Sequence, residues 1–244
     1  MSATCVAESP KPFAYKPLES SSHIRLLKIH QNKTSGSLPS SGAANRPDLS
    51  QYFFELIHNE LSGVRDNKAV AIARTGPGRT DYIPISYTWG TQGRIKLLEL
   101  RRPEDGCKCL GVISITPALL DTLPFLAEKA LSLGVLYLWI DQICIDQENV
   151  AEREQQVALM GHLYGQANLA LVWLGQEDEA TACLRQHQQA SPTPGGSSAI
   201  TSTLGGQQPA PDSVRKAVLD LLLRPWFRRG WIIQEVALPR NIKF

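Results

Sequence analysis

At 244 residues, 43% of them hydrophobic, with a net charge of +2, the chain is long enough to bury a core of its own. A pI near 8.3 gives no strong field, so neither nucleic acid nor a membrane surface is implied as a partner. No segment approaches the roughly 20 apolar residues of a membrane span, and Met1 to Pro12 is too polar for a signal peptide. The cysteines (Cys5, Cys107, Cys109, Cys144 and Cys183) are odd in number, which reads as reduced thiols in a cytoplasmic or nuclear compartment.

Residues 1–20, rich in Ser and Pro, read as a disordered tail ahead of one α/β domain over 21–244. His23 to Ile29 predicts a strand, and Tyr52 to Ile57 a second. A Ser/Gly/Pro/Asn-rich stretch from Asn32 to Asp48 separates them, so they are expected to pair as a long-looped hairpin. Tyr82 to Gly90 is a short apolar, β-branched run ending at a glycine, and Pro84, which cannot donate to a ladder, belongs at a strand start or a bulge. Cys107-Lys-Cys109 has no second Cys or His pair nearby and reads as a loop rather than a metal site. Thr116-Pro117 marks a helix start, and Leu119, Leu120, Leu123, Leu126, Ala127 and Ala130 follow at helical spacing. Pro124 is expected to kink or split this helix, and Gly134 to end it.

Val135 to Ile140 is a continuous apolar run, as in a strand buried on both faces. Asn149 followed by Glu152 fits a capping box for a helix whose stripe is Val157, Met160, Leu163 or Tyr164, and Ala167. Glu152, Arg153, Glu154 and Gln155 read as its solvated first turn. Leu169 to Leu174 predicts the next buried strand. Residues 176–212 are a low-complexity insertion rich in Gln, Ser, Thr, Pro and Gly. Val214 to Leu223 resumes a helical pattern, Trp226 to Leu238 predicts a short helix, and Ile242 to Phe244 the start of a strand. The alternation from Tyr82 onward predicts a mostly parallel sheet with helices on both faces, preceded by the hairpin as an extension.

Three separated blocks then stand out. They are Ser86-Tyr87-Thr88-Trp89-Gly90, the run Trp139-Ile140-Asp141-Gln142-Ile143-Cys144-Ile145-Asp146-Gln147, and Trp231-Ile232-Ile233-Gln234-Glu235. On their own residues they leave alternatives open. Asp141 at a strand end is equally a ligand contact or a cap. Trp89-Gly90 is either a turn admitting a ligand or a packed strand-ending turn. Cys144 between isoleucines reads as a small buried hydrophobe, and Arg228-Arg229 as phosphate contacts or a solvated helix start. No P-loop or GxGxxG is present.

Together the blocks resemble the fungal heterokaryon-incompatibility (HET) domain, whose hallmarks are Ser-Tyr-x-Trp-Gly, Trp-Ile-Asp-x-x-Cys-Ile-x-Gln and Trp-x-x-Gln-Glu. Connecting pieces match as well: Thr116-Pro117, Glu152-Arg153, Trp173-Leu174-Gly175, and Ile24-Arg25-Leu26-Leu27 as an opening segment. Asp146 departs from the family's usual Asn. Family members often run beyond this domain, so a short member or a fragment with a truncated C-terminus is expected.

The block order is also similar to that of TIR domains, with Ile232 where those carry a cysteine. This implies a flavodoxin-like fold. It also implies a reaction, cleavage of the nicotinamide–ribose bond of NAD, with Glu235 as the catalytic carboxylate beside an oxocarbenium-like transition state. Ser86, Tyr87, Trp89, Gly90, Asp141, Asp146, Gln147, Arg229 and Trp231 would bind the substrate where parallel strands end. No metal and no cofactor is required, NAD being the implied substrate. The resemblance implies a cytoplasmic effector of non-self recognition that self-associates, answers to an upstream recognition protein or domain, and triggers programmed cell death. The alternative is a non-catalytic module that recruits other death effectors.

Overall fold

The computed structural model describes residues 11–32, 47–61, 64–65, 68–69, 81–103, 108–190 and 211–244. In chain order the elements are β1 (His23–Gln31), β2 (Tyr52–Glu60), β3 (Val64–Arg65), β4 (Lys68–Ala69), β5 (Ile83–Tyr87), β6 (Lys96–Arg102), β7 (Lys108–Ile115), α1 (Pro117–Ser132), β8 (Tyr137–Trp139), α2 (Asp141–Cys144), α3 (Val150–Gln166), β9 (Ala170–Trp173), α4 (Glu179–Ala190), α5 (Pro211–Leu222), α6 (Ile232–Ala237) and β10 (Ile242–Lys243). They divide into two compact units: Met1–Val172 with Ile233–Phe244, and Trp173–Ile232.

The first unit is built on a sheet of order β10-β9-β5-β8-β1-β2-β6-β7. The sheet is mixed, which corrects the expectation of a mostly parallel one. β5 and β8 run parallel, as do β9 and β10, and β2 and β6. β1 is antiparallel to both β2 and β8, and β6 is antiparallel to β7. The predicted hairpin exists, with Leu26 facing Ile57 and Ile29 facing Phe54. It is an interior part of the sheet rather than an extension, because β1 is apolar on both faces. Ile24, Leu26 and Leu27 are all 0% exposed, and a strand buried on both sides needs a neighbour along each edge. The β6–β7 hairpin corresponds to no predicted element.

Pro124 does not break α1, which runs unbroken from Pro117 to Ser132. Its buried face of Leu119, Leu123, Leu126, Ala127 and Ala130 stabilises by several kcal/mol, more than the roughly 3 kcal/mol an interior proline removes. The predicted stripe of α3 is buried at Met160, Leu163, Tyr164 and Ala167, and only Val157 departs from it, its place on the buried face being taken by Gln156. Gln156 is 1% exposed and Val157 38%, because the Gln156 amide donates to the His23 carbonyl at 2.9 Å. Glu152 is buried rather than solvated. Asn149 caps the helix by accepting from the Glu152 amide at 3.2 Å, but the predicted return bond is not made: the Asn149 amide donates to the Asp146 carbonyl instead.

Residues 11–20, inside the predicted tail, are partly tied down: the Phe13 amide donates to the Val112 carbonyl, and the Val112 amide to the Lys11 carbonyl, both at 2.9 Å. Gly111, at φ +134°, lets this segment approach so closely that an added Cβ would sit 2.6 Å from the Phe13 Cα.

The second unit contains α4 and α5 and a 3-10 turn, Pro225–Arg228. Asp178 starts α4 by accepting from the Thr181 amide at 3.0 Å, and its carboxyl is drawn down to about 2 mainly by that backbone bond. The stretch read as low-complexity thus contains a helix, Glu179–Ala190. Residues 191–210, most of the predicted 32–48 loop, Cys5 and Cys107 lie outside the described residues.

Candidate functional site

β5 and β8 lie side by side and parallel, with Ile83 opposite Leu138 and Pro84 opposite Trp139. Their carboxyl ends therefore open on the same rim. One brings Ser86 and Tyr87, the other Asp141 as the first residue of α2.

Asp141 organises one side of this rim. Its carboxylate accepts from the Tyr87 hydroxyl at 2.8 Å, from the Trp89 indole N–H at 2.8 Å and from the Gln142 amide at 2.7 Å. Burial first, and then the Asp141 charge, hold the Tyr87 hydroxyl well above its ordinary range. It stays neutral and donates. The main-chain carbonyl of Asp141 accepts from the Gln147 side chain at 2.6 Å, so the block 141–147 closes on itself. Asp146 accepts from the Glu148 amide through Oδ1 at 3.1 Å. An asparagine makes that bond equally well, so the departure from the family's usual residue leaves the turn intact. Gly90, at φ +77°, ends the 86–90 block in a left-handed turn with open space where a Cβ would lie.

Glu235 organises the other side. It is 1% exposed on α6 and accepts a short hydrogen bond from the Ser86 hydroxyl, itself 1% exposed. Ser86 and Tyr87 are consecutive strand residues, so their side chains leave opposite faces of β5. The Ser86–Glu235 bond and the Tyr87–Asp141 bond thus fall on opposite sides of the strand end.

Arg229 and Trp231 belong to the second unit. Arg229 follows the 3-10 turn and is half-buried; Trp231 is 49% exposed. Trp231 precedes α6, which starts at Ile232, so its offset of four from Glu235 does not place the two on one helical face.

Several supporting residues escaped sequence reasoning. Gln142, 0% exposed, accepts from the Thr116 amide at 2.9 Å and donates to the Thr116 hydroxyl at 3.2 Å, joining α2 to the start of α1. Arg25 and Glu152 form a buried ion pair at 2.5 Å. The signal for Arg25 was present in the sequence, as a charge inside an otherwise apolar strand. Cys144 is fully buried, with its thiol pushed up to about 12 chiefly by desolvation, and is a packing residue rather than a nucleophile. Among the described residues no group of three or more His, Cys, Asp or Glu side chains is placed to hold a metal, and no helix is long and apolar enough to cross a membrane.

The family model described as "Heterokaryon incompatibility protein (HET)" matches residues 82–235. A curated relative from Neurospora crassa, "Heterokaryon incompatibility protein 6, OR allele", is 35% identical over 96 residues, a segment covering 38% of this chain and 14% of that protein. The match thus spans only a small part of the relative's length. No solved structure matches the chain. The matched span runs from the start of β5 to Glu235, taking in the three blocks whose side chains tie the rim together, and covers well over half the sequence: the chain belongs to the heterokaryon incompatibility (HET) family.

Proposed function

We propose that this chain is an effector domain of fungal heterokaryon incompatibility, held inactive until an upstream recognition protein or domain clusters it, and that the clustered form triggers cell death by recruiting other proteins. The observation that carries this reading is that both rim carboxylates are occupied by the domain's own donors, Asp141 by three and Glu235 by Ser86. Groups so engaged fix the shape of a surface, and fixed shape is what an interaction module needs. The test is forced oligomerisation of the domain in a fungal host through a fused inducible dimeriser. Death on clustering is expected, and harmless clusters of proven assembly would refute the proposal.

A second reading has its own support. Glu235 is a buried carboxylate next to a hydroxyl at the carboxyl end of a parallel strand pair, and four sheet strands, β8-β5-β9-β10, follow a doubly wound order. In this reading clustering frees Glu235 from Ser86, and its carboxylate stabilises the cation formed as NAD or a related nucleotide is hydrolysed. Glu235→Gln separates the two readings. The amide oxygen still accepts from Ser86, so stability is expected to change by about 1 kcal/mol or less. Clustered Glu235→Gln kills in the recruiting reading and is harmless in the hydrolytic one. Nicotinamide release from NAD by wild-type clusters, measured by chromatography, decides the same point in vitro.

A further inference from the structure

We propose that Arg25 is a positioning residue for the 141–147 block, which it holds through the buried ion pair with Glu152. Functional importance of that block rests on the reading above; the grip itself does not. Arg25 is 1% exposed, the third residue of β1. One terminal nitrogen donates to the Cys144 carbonyl at 3.2 Å and to Glu152 Oε1 at 2.5 Å. The other donates to Glu152 Oε2 at 3.1 Å and to the Lys16 carbonyl at 2.6 Å. Glu152 Oε1 also accepts from the Asp146 amide at 2.8 Å. A single ion pair therefore grips the turn on both sides of Ile145, at the Cys144 carbonyl and the Asp146 amide. The Tyr15 ring lies under the guanidinium at 4.9 Å, and its hydroxyl donates to the Ile143 carbonyl at 2.9 Å.

Fold stability alone does not call for this arrangement. A buried ion pair gains little over a well-packed apolar pair, because desolvating two charges offsets most of their attraction. What a forked guanidinium adds is direction, since its N–H groups are fixed in a plane and specify where each acceptor sits. Here those acceptors are a strand-distant carbonyl, a helix carboxylate and the N-terminal segment. The turn they fix begins at Asp141, whose carbonyl is tied to Gln147 and whose carboxylate holds Tyr87 and Trp89. A shift at Arg25 is thus passed to the Trp89 indole.

The test compares Arg25→Lys, the double variant Arg25→Met with Glu152→Met, and Leu27→Ala as a core control on the same strand. Two readouts are taken by NMR. One is exchange of the Cys144, Ile145 and Asn149 amides, which bond to Ile140, Asp141 and Asp146 rather than to the ion pair. The other is the chemical shift of the Trp89 indole N–H. Positioning predicts at least tenfold faster exchange of these amides relative to β1 and β8 amides in both Arg25 variants, together with a moved Trp89 resonance. Leu27→Ala should speed all amides in step and leave the resonance in place. If exchange in the Arg25 variants rises only in step with the core, or if Trp89 does not move, the proposal is overturned. A moved Trp89 with undiminished killing by clusters would uphold the positioning and refute the functional reading of the block.

Discussion

Replacing Asp141 by alanine removes the acceptor for three donors at once. The Tyr87 hydroxyl, at 2.8 Å, and the Gln142 amide, at 2.7 Å, suffer most, because Tyr87 is 4% exposed and Gln142 0%, and water does not reach them readily. A stranded buried donor costs about 1–3 kcal/mol. The Trp89 indole lies at the partly exposed rim, and losing a charge-assisted bond there costs about 1 kcal/mol. The sum is roughly 3–7 kcal/mol before any discount for non-additivity within one network. Asp141→Asn is gentler. Its oxygen still serves Tyr87 and Gln142, but its amide meets the Trp89 N–H donor to donor, and the charge is gone, for a loss of about 1–2 kcal/mol. Urea unfolding followed by far-UV circular dichroism measures both. The expected order is wild type, then Asn, then Ala, with unchanged slope. An alanine variant within 1 kcal/mol of wild type would show that the rim does not depend on this carboxylate.

The fold should weaken above pH 9. The Cys144 thiol has an ordinary value of 9.0 and is raised to about 12 when folded, so below 9 it contributes no pH dependence, and above 9 the unfolded chain gains by ionising while the folded one does not. The loss approaches about 1.4 kcal/mol per pH unit; Tyr87, raised from 10.0, adds to it above pH 10, and Cys144→Ala should flatten the decline between pH 9 and 10 in alkaline unfolding curves. Gly111→Ala places a Cβ 2.6 Å from the Phe13 Cα at a φ of +134°; a loss of about 2 kcal/mol or more is expected, with faster chymotryptic cleavage after Phe13, and an unaltered cleavage rate would argue against the tight crossing. Thr116→Ala removes a 1% exposed hydroxyl that accepts from the Leu119 amide at 3.4 Å and from Gln142 at 3.2 Å; thermal unfolding should register about 1–2 kcal/mol, and no change would mean that Gln142 alone anchors the start of α1.

Much of this protein is written locally. The hairpin partners β1 and β2, the capped starts of α1 and α3, the buried strands β8 and β9, and the three family blocks all follow from apolar period, capping residues and short motifs, which need only neighbours in sequence. Tertiary structure decided the rest. Whether a hairpin stands beside a sheet or inside it depends on which edge another strand offers, and β8 offers one to β1. Pro124 stays helical because burial of its face outweighs the local penalty. Trp231 is exposed and Glu235 buried, a difference that packing decides and that a spacing of four along the chain does not reveal. Arg25 and Glu152 are 127 residues apart, and no pattern along the chain says that two charges will meet out of water. Such a pairing exists only when the fold brings both into one low-dielectric place, where each is tolerable because the other is there.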